Sequence, residues 1–349
     1  MRKSRRWSLL KRFGVSCSLA VLAASLVLIA ASKDGEDVPI EGAAVPDGVL
    51  PIWAYPVLPP APPRAGPRPA AAPDETLLHV PGSSAGYTKA QIGTLFGVPD
   101  WFPGAHPKMP AVVSEGRKPD VGACGHCHLP NGYGRAENSS VEGLPAEYMM
   151  QQIEDFKSGA RQSSEPRLAS VTNMTAAAKA ATPEEIKAAV AYFASIKPAR
   201  WIRVVEADEV PKTHVASLTM VVDQPASTEP IGHRVIEVAE DFEQFELRNP
   251  QSGFVAYAPV GSVKKGEALA KKGSDKVMAC VACHGANLKG AGQIPSIAGR
   301  SPSTMTRQLI DFQTGARNGP NAAMMKPVVA QMTNDDIVAL VAYLASLGP

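Results

Sequence analysis

The chain carries the pattern CxxCH twice, as CGHCH at 124–128 and CVACH at 280–284, and the residues that follow the two copies match. At a shift of 156 residues, Asn131 meets Asn287, Gly134 meets Gly290, and Gln152, Asp155 and Phe156 meet Gln308, Asp311 and Phe312. Gly159-Ala160-Arg161 meets Gly315-Ala316-Arg317 at the same shift. The shift then drops to 151, pairing Met174 with Met325, Thr182 with Thr333, Ile186 with Ile337 and Val190-Ala191-Tyr192 with Val341-Ala342-Tyr343. Such a chain is expected to build one unit twice, over 81–200 and 258–349. Residues 201–257 belong to neither copy. Their runs WIRVVEA, SLTMVVD and HRVIEVAE are rich in β-branched residues and predict a small β-rich connector.

Within each copy the signals are helical. Thr182-Pro183-Glu184-Glu185 sets an N-cap threonine, a proline at the first helical position and a capping-box glutamate in order. Ile186, Ala189, Val190, Phe193 and Ile196 then recur on one helical face, and Ile337, Leu340, Val341 and Leu344 repeat the pattern. Middle helices are expected at 147–157 and 303–313, each ending at a Gly-Ala-Arg segment. Tyr192 and Tyr343 are expected to pack the terminal helices, and Met149 and Met150 to fill core.

Two cysteines three apart share one face of a helical turn, and the histidine four on from the first joins them. In c-type haem attachment both thiols bond to the porphyrin edge and the histidine ligates the iron. That chemistry assigns Cys124, Cys127 and His128 to one haem and Cys280, Cys283 and His284 to another. A single four-cysteine zinc site is the alternative use of two such pairs. A redox disulfide is the other, but it needs a βαβ context that is absent. Neither explains a histidine after each pair. His126, inside the first motif, is expected to be an exposed bystander.

Met174 follows His128 by 46 residues and Met325 follows His284 by 41, and each stands eight residues before a capping threonine. A thioether as sixth ligand raises the reduction potential and fills the last coordination position, which suits electron transfer rather than substrate chemistry. Core filling is the other reading of these methionines, and Met324 is the runner-up for the second site. Arg161 and Arg317 are read either as partners of haem propionates or as helix-end cations facing a macrodipole. His79, His106, His214 and His233 fall at unrepeated positions and are expected at the surface or in loops, with metal or alternative axial ligation as the other readings.

These motifs together resemble the dihaem class I cytochromes c of the cytochrome c-four family, over about 60% of the chain. The resemblance implies an all-α fold: two class I cytochrome c modules in tandem, joined by the β-rich connector. It implies two covalently bound haem c groups with His/Met ligation by His128 and Met174, and by His284 and Met325. It implies an electron carrier and not an enzyme, serving redox partner proteins such as a respiratory complex, oxidase or dehydrogenase. The family has a proline after the haem histidine whose carbonyl orients the imidazole. Pro295 supplies it in the second copy. Ser139 stands at that place in the first, so another carbonyl is expected to act there. The helix expected before the first CxxCH is missing, and Thr88 to Phe96, with Thr88 and Gln91 as a capping box, is the candidate replacement.

The N-terminus reads as an export signal. Residues 1–12 hold six positive charges and no negative one, and Gly14 to Ala31 is an apolar run of 18 residues. That is a secretory n-region and h-region, also just long enough to span a bilayer. Residues 1–32 are therefore a signal peptide or membrane anchor, with Cys17 an ordinary residue of the apolar run. Ten prolines between Pro46 and Pro73 make 33–80 a Pro-rich linker, extended and unable to bury a core. The expected location is periplasmic, tethered to the inner membrane by this segment. A net charge of +2 with 19% charged residues lacks the dense basic face that nucleic acid requires. Two other functions stay open: a dihaem enzyme of peroxidase or thiosulfate dehydrogenase type, with one haem open to a ligand, and a cytochrome subunit of a dehydrogenase complex.

Overall fold

The computed structural model describes residues 50–58 and 74–349. The expected signal or anchor at 1–32, Cys17 and most of the Pro-rich stretch lie outside the described residues.

In the first repeat, α1 (Lys89–Gly93), α2 (Ala111–Ser114), α3 (Cys124–His128), α4 (Ala146–Ser158), α5 (Ala169–Ala180) and α6 (Pro183–Ser195) follow in order. The second repeat runs α8 (Ser262–Lys272), α9 (Val281–His284), α10 (Pro302–Thr314), α11 (Ala322–Val329) and α12 (Asn334–Ser346), after the short α7 (Phe242–Glu246). The caps are those the sequence predicts. Thr182 and Thr333 each accept from the backbone N–H three residues on, and Glu185 and Asp336 return the bond. The middle helices α4 and α10 both end at a glycine with φ of 80°, a left-handed position that glycine adopts without steric cost. The methionine-bearing helices α5 and α11 had no such cap signature in the sequence.

The first repeat has its own core, in which Val112, Val113 and Val121 meet Leu144, Met149 and the buried face of α6. In the second, α12 is buried along almost its whole length and packs on α8. The two helices approach so closely at Gly266 that a Cβ there would lie 2.0 Å from the Ala339 carbonyl oxygen. In the first repeat it is the one-turn α2, packed on α6 and α3, that takes the place of α8. The predicted helix at Thr88 forms with its capping box, but it belongs to a separate cluster of Val80, Ile92, Trp101 and Leu247. It does not replace the missing helix.

The expected all-α class is overturned. Among the described residues seven strands form three sheets: β1 (Ile202–Glu206), β7 (Phe254–Ala258) and β6 (Ile236–Ala239) in the order β1-β7-β6; β2 (Glu209–Pro211) with β5 (Thr228–Pro230); and β3 (Thr213–Ala216) with β4 (Thr219–Val222). β1 runs parallel to β7 and β6 antiparallel to it. The physical reason is burial. Trp201, Ile202, Val235, Ile236, Val238, Phe254 and Ala256 share one continuous core with α12, so this stretch is a structural layer on the second repeat. β7 was not anticipated from the sequence.

The Pro-rich stretch also departs from expectation. Trp53, Ala54 and Tyr55 are buried in that same core. The Tyr55 hydroxyl donates to Asp311 Oδ1 at 3.0 Å and the Arg307 guanidinium donates to the Ala54 carbonyl at 2.7 Å. Two apolar aromatic side chains supply what proline cannot. Among the described residues no single helix is long and apolar enough to cross a membrane.

Candidate functional site

Each CxxCH occupies one helical turn. Cys124, Cys127 and His128 lie on α3; Cys280 caps α9, which carries Cys283 and His284. All four thiols are free. Burial pushes Cys124 up to about 12 and Cys280 up to about 11, unlike the activated thiolate of a redox pair. Among the described residues no group of three or more His, Cys, Asp or Glu side chains is arranged to hold a metal ion. The four-cysteine zinc reading has no geometry to rest on.

The two histidines are held alike. His128 Nδ1 lies 2.8 Å from the Ser139 carbonyl oxygen, and His284 Nδ1 lies 2.8 Å from the Pro295 carbonyl oxygen. A carbonyl only accepts, so Nδ1 must carry the proton, and Nε2 keeps its lone pair for a metal. Burial also lowers both imidazoles below their usual range and keeps them neutral. The expectation that some other carbonyl replaces the missing proline is corrected: Ser139 itself does, because the role belongs to the main chain. The Phe193 ring of α6 meets the His128 ring edge-on at 6.0 Å.

Met174 lies on α5, which packs on α4, and Met325 on α11, which packs on α10. Both are half-buried, and Met325 also packs against the second core, whereas Met324 is 61% exposed. Tyr192 is buried and donates to the Pro130 carbonyl at 2.6 Å, and Tyr343 is buried in α12. His79, His106 and His233 lie in loops and His214 on β3, and each has a partner: His79 the Ala85 carbonyl, His106 Asp100, His214 Asp223 and His233 Asp335. His126 is not exposed, as the sequence suggested, but 5% exposed. Burial, with Arg248 and Arg135 nearby, lowers it to about 4.

At the ends of the middle helices, the two Gly-Ala-Arg segments meet. Gln162 N donates to the Ala316 carbonyl at 2.8 Å, and an antiparallel bridge joins Arg161 to Arg317. The guanidiniums lodge on neutral acceptors: Arg161 on Gln152 and Gln308, Arg317 on Gln308, Gln152 and Tyr148. Neither forms an ion pair among the described residues. Burial, then the neighbouring Arg317, lowers Arg161 to about 10. Burial alone would raise Tyr148, yet Arg317 and Arg161 pull it below its usual value. Two crowded cations, offset by Asp155 and Asp311 only from beyond ion-pair distance, are a donor set that fits carboxylates such as haem propionates. The bare Nε2 atoms, paired thiols and this donor set together fit haem c.

A cytochrome c family model matches residues 263–348. Cytochrome c-554(548) of Halomonas halodenitrificans is 37% identical over 78 residues, covering 94% of that protein and 22% of this chain. The chain belongs to the c-type cytochromes. The match to cytochrome c4 of Azotobacter vinelandii is 24% identical over 250 residues, 70% of this cytochrome and 91% of that one. The thiosulfate dehydrogenase electron acceptor of Thiomonas intermedia is 23% identical over 234 residues, 65% of this cytochrome and 80% of that protein. This cytochrome carries covalently bound haem c and transfers electrons.

Reasoning from sequence missed Arg248, Arg135 and the pair Glu142–Arg300. Arg300 Nη1 donates to Glu142 Oε1 at 2.7 Å, a buried bond between the repeats. Their signal was weak because none of these roles is shared by the two copies.

Proposed function

We propose that this cytochrome is a dihaem electron carrier. Cys124, Cys127, His128 and Met174 hold one haem c, and Cys280, Cys283, His284 and Met325 hold the other. The modules are 81–200 and 258–349, with 201–257 as a layer between them in sequence. The observation that carries this reading is the duplicated imidazole anchor, with Nδ1 tied to the carbonyl eleven residues on in both repeats. Bound haem supplies reversible one-electron chemistry. The chain's part is to keep each imidazole neutral and oriented, to shield it with residues such as Phe193, and to set cationic donors at Arg161 and Arg317. A thioether from Met174 and from Met325 completes each coordination sphere, leaving no place for a substrate.

Its place is the periplasm, with residues 1–32 as the export signal and inner-membrane tether. Its partners are redox proteins of a respiratory chain. The likeness to a thiosulfate dehydrogenase electron acceptor supports a dehydrogenase as one electron donor, and supports the carrier role over that of an enzyme.

Reduced and oxidised spectra of Met174→Ala and Met325→Ala test the assignment. Each variant is expected to lose one sulfur–iron signal and to lower one potential, while the unaltered protein binds no cyanide. An unchanged spectrum rejects that methionine. A high-spin haem in the unaltered protein favours the enzyme.

A further inference from the structure

The two CxxCH turns are equivalent in sequence and unequal in exposure. Gly125 and His126 are buried, whereas their counterparts Val281 and Ala282 are half-buried and exposed. Cys127 and Asn131 are half-buried, whereas Cys283 and Asn287 are exposed. Val98 and Val113 pack over Gly125, and a further part of the cover is one segment, 242–250, that has no counterpart in the second repeat.

That segment grips the first turn at several points. Arg248 Nη1 donates to the His126 carbonyl at 2.6 Å, and Asn131 Nδ2 donates to the Pro250 carbonyl at 2.6 Å. Trp101 Nε1 donates to the Leu247 carbonyl at 2.9 Å, joining the loop before the motif to the same cover. The Arg135 guanidinium lies 3.5 Å from the centre of the Phe245 ring. Arg248 holds a left-handed φ of 55°. A non-glycine residue keeps such a conformation only when its surroundings over-determine it.

The second turn is open. Met278 is 56% and Met324 61% exposed, on either side of exposed Ala282 and Cys283 in sequence. Lys272, Lys276 and Lys289, close in sequence to this turn, are exposed as well, with Asp275 the acid among them; Lys271 is paired with Glu267 and Lys289 donates to the Pro349 carbonyl. Exposed apolar groups beside a net positive charge suit a partner with an apolar patch and an acidic rim.

We propose that residues 242–250 seal the thioether edge of the first haem, so that an acidic redox protein exchanges electrons only at the second haem's face. An electron given up there is replaced by one from the first site, and no bond forms or breaks. This rests on the haem assignment above.

The test is solvent access in the ferrous, diamagnetic protein, read by nuclear magnetic resonance with a neutral gadolinium chelate. The thioether-methyl signals of the second haem are expected to broaden and those of the first to stay sharp. Equal broadening of two complete haem signal sets overturns the seal alone; a single set overturns the haem assignment as well. A paired substitution, Lys276→Glu with Met278→Glu, is expected to slow oxidation of both haems by ferricyanide at least tenfold. An unchanged rate overturns the single port. Arg248→Ala is expected to expose the first set of signals. Should it not fold, Asn131→Ala loosens the same cover, and a first set still sharp in the folded variant counts against it.

Discussion

Arg161 and Arg317 hold the same place in the two repeats and face each other across an antiparallel bridge, each bonded to the glutamine of the other's middle helix. The arrangement is a local two-fold built from one duplicated sequence. It concentrates two like charges where burial makes their repulsion strong. Asp155 and Asp311 offset part of that repulsion, and the haem carboxylates are the further anions available under the proposed function.

Removing one of these cations therefore changes a redox property. Arg161→Met is expected to lower at least one haem potential, because ferric iron is then less disfavoured. The expected size is on the order of 60 mV, which for a one-electron couple is a tenfold change in equilibrium constant. Spectroelectrochemical titration reads it. Unaltered potentials in both Arg161→Met and Arg317→Met mean that the pair serves only the contact between repeats.

The buried Glu237 predicts a pH dependence. Its carboxyl accepts from Ser301 Oγ at 2.7 Å and from Ser303 N at 3.1 Å, at the start of α10. Burial raises it above its usual 4.5. The folded state then binds a proton that the unfolded state has lost, so its contribution is complete below pH 4.5 and disappears as pH rises through the raised value. Glu237→Gln keeps an acceptor oxygen and cannot ionise. Urea midpoints across this range are expected to fall with pH more in the unaltered protein than in the variant. Parallel curves contradict the assignment.

Trp53 and Tyr55 make residues 50–55 part of the folded body. Trp53→Ala is expected to cost about 3–5 kcal/mol, the usual effect of emptying a large buried site. Tyr55→Phe, which removes only the hydroxyl bonded to Asp311, is expected to cost about 1 kcal/mol. Far-ultraviolet circular dichroism in urea measures both. Values near zero for Trp53→Ala mean the segment is not docked in solution.

Ser139→Pro is expected to leave haem content and spectra unchanged. Only the Ser139 carbonyl is used by His128, and matching turns precede the two positions, bridged Arg135 to Asn138 and Ala291 to Ile294. Fixing the backbone there is expected to change stability by less than about 1 kcal/mol. Loss of haem in this variant contradicts the equivalence of Ser139 and Pro295.

Much of this was legible because a repeat states each signal twice. The CxxCH turns, the caps at Thr182 and Thr333 and the middle helices were readable from spacing alone. The Ser139 carbonyl was not, because a main-chain acceptor leaves no trace in the side chain. The burial of His126 was not either, since it depends on Arg248, distant in sequence and without a repeated counterpart. The sheet layer misled the fold class for a related reason. The runs at β1, β4 and β6 were visible and β7 was not, and the union of this layer with α12 into one core is a tertiary fact. Pro51 to Tyr55 was hidden by the prolines around it, whose composition outweighed two buried aromatics.

The most direct test of the central claim is the intact mass of the purified protein under denaturing conditions. The account predicts two haem additions that survive unfolding, and mass mapping that puts one on the peptide of Cys124 and Cys127 and one on that of Cys280 and Cys283. One haem or none, or four alkylatable thiols after unfolding, would contradict it.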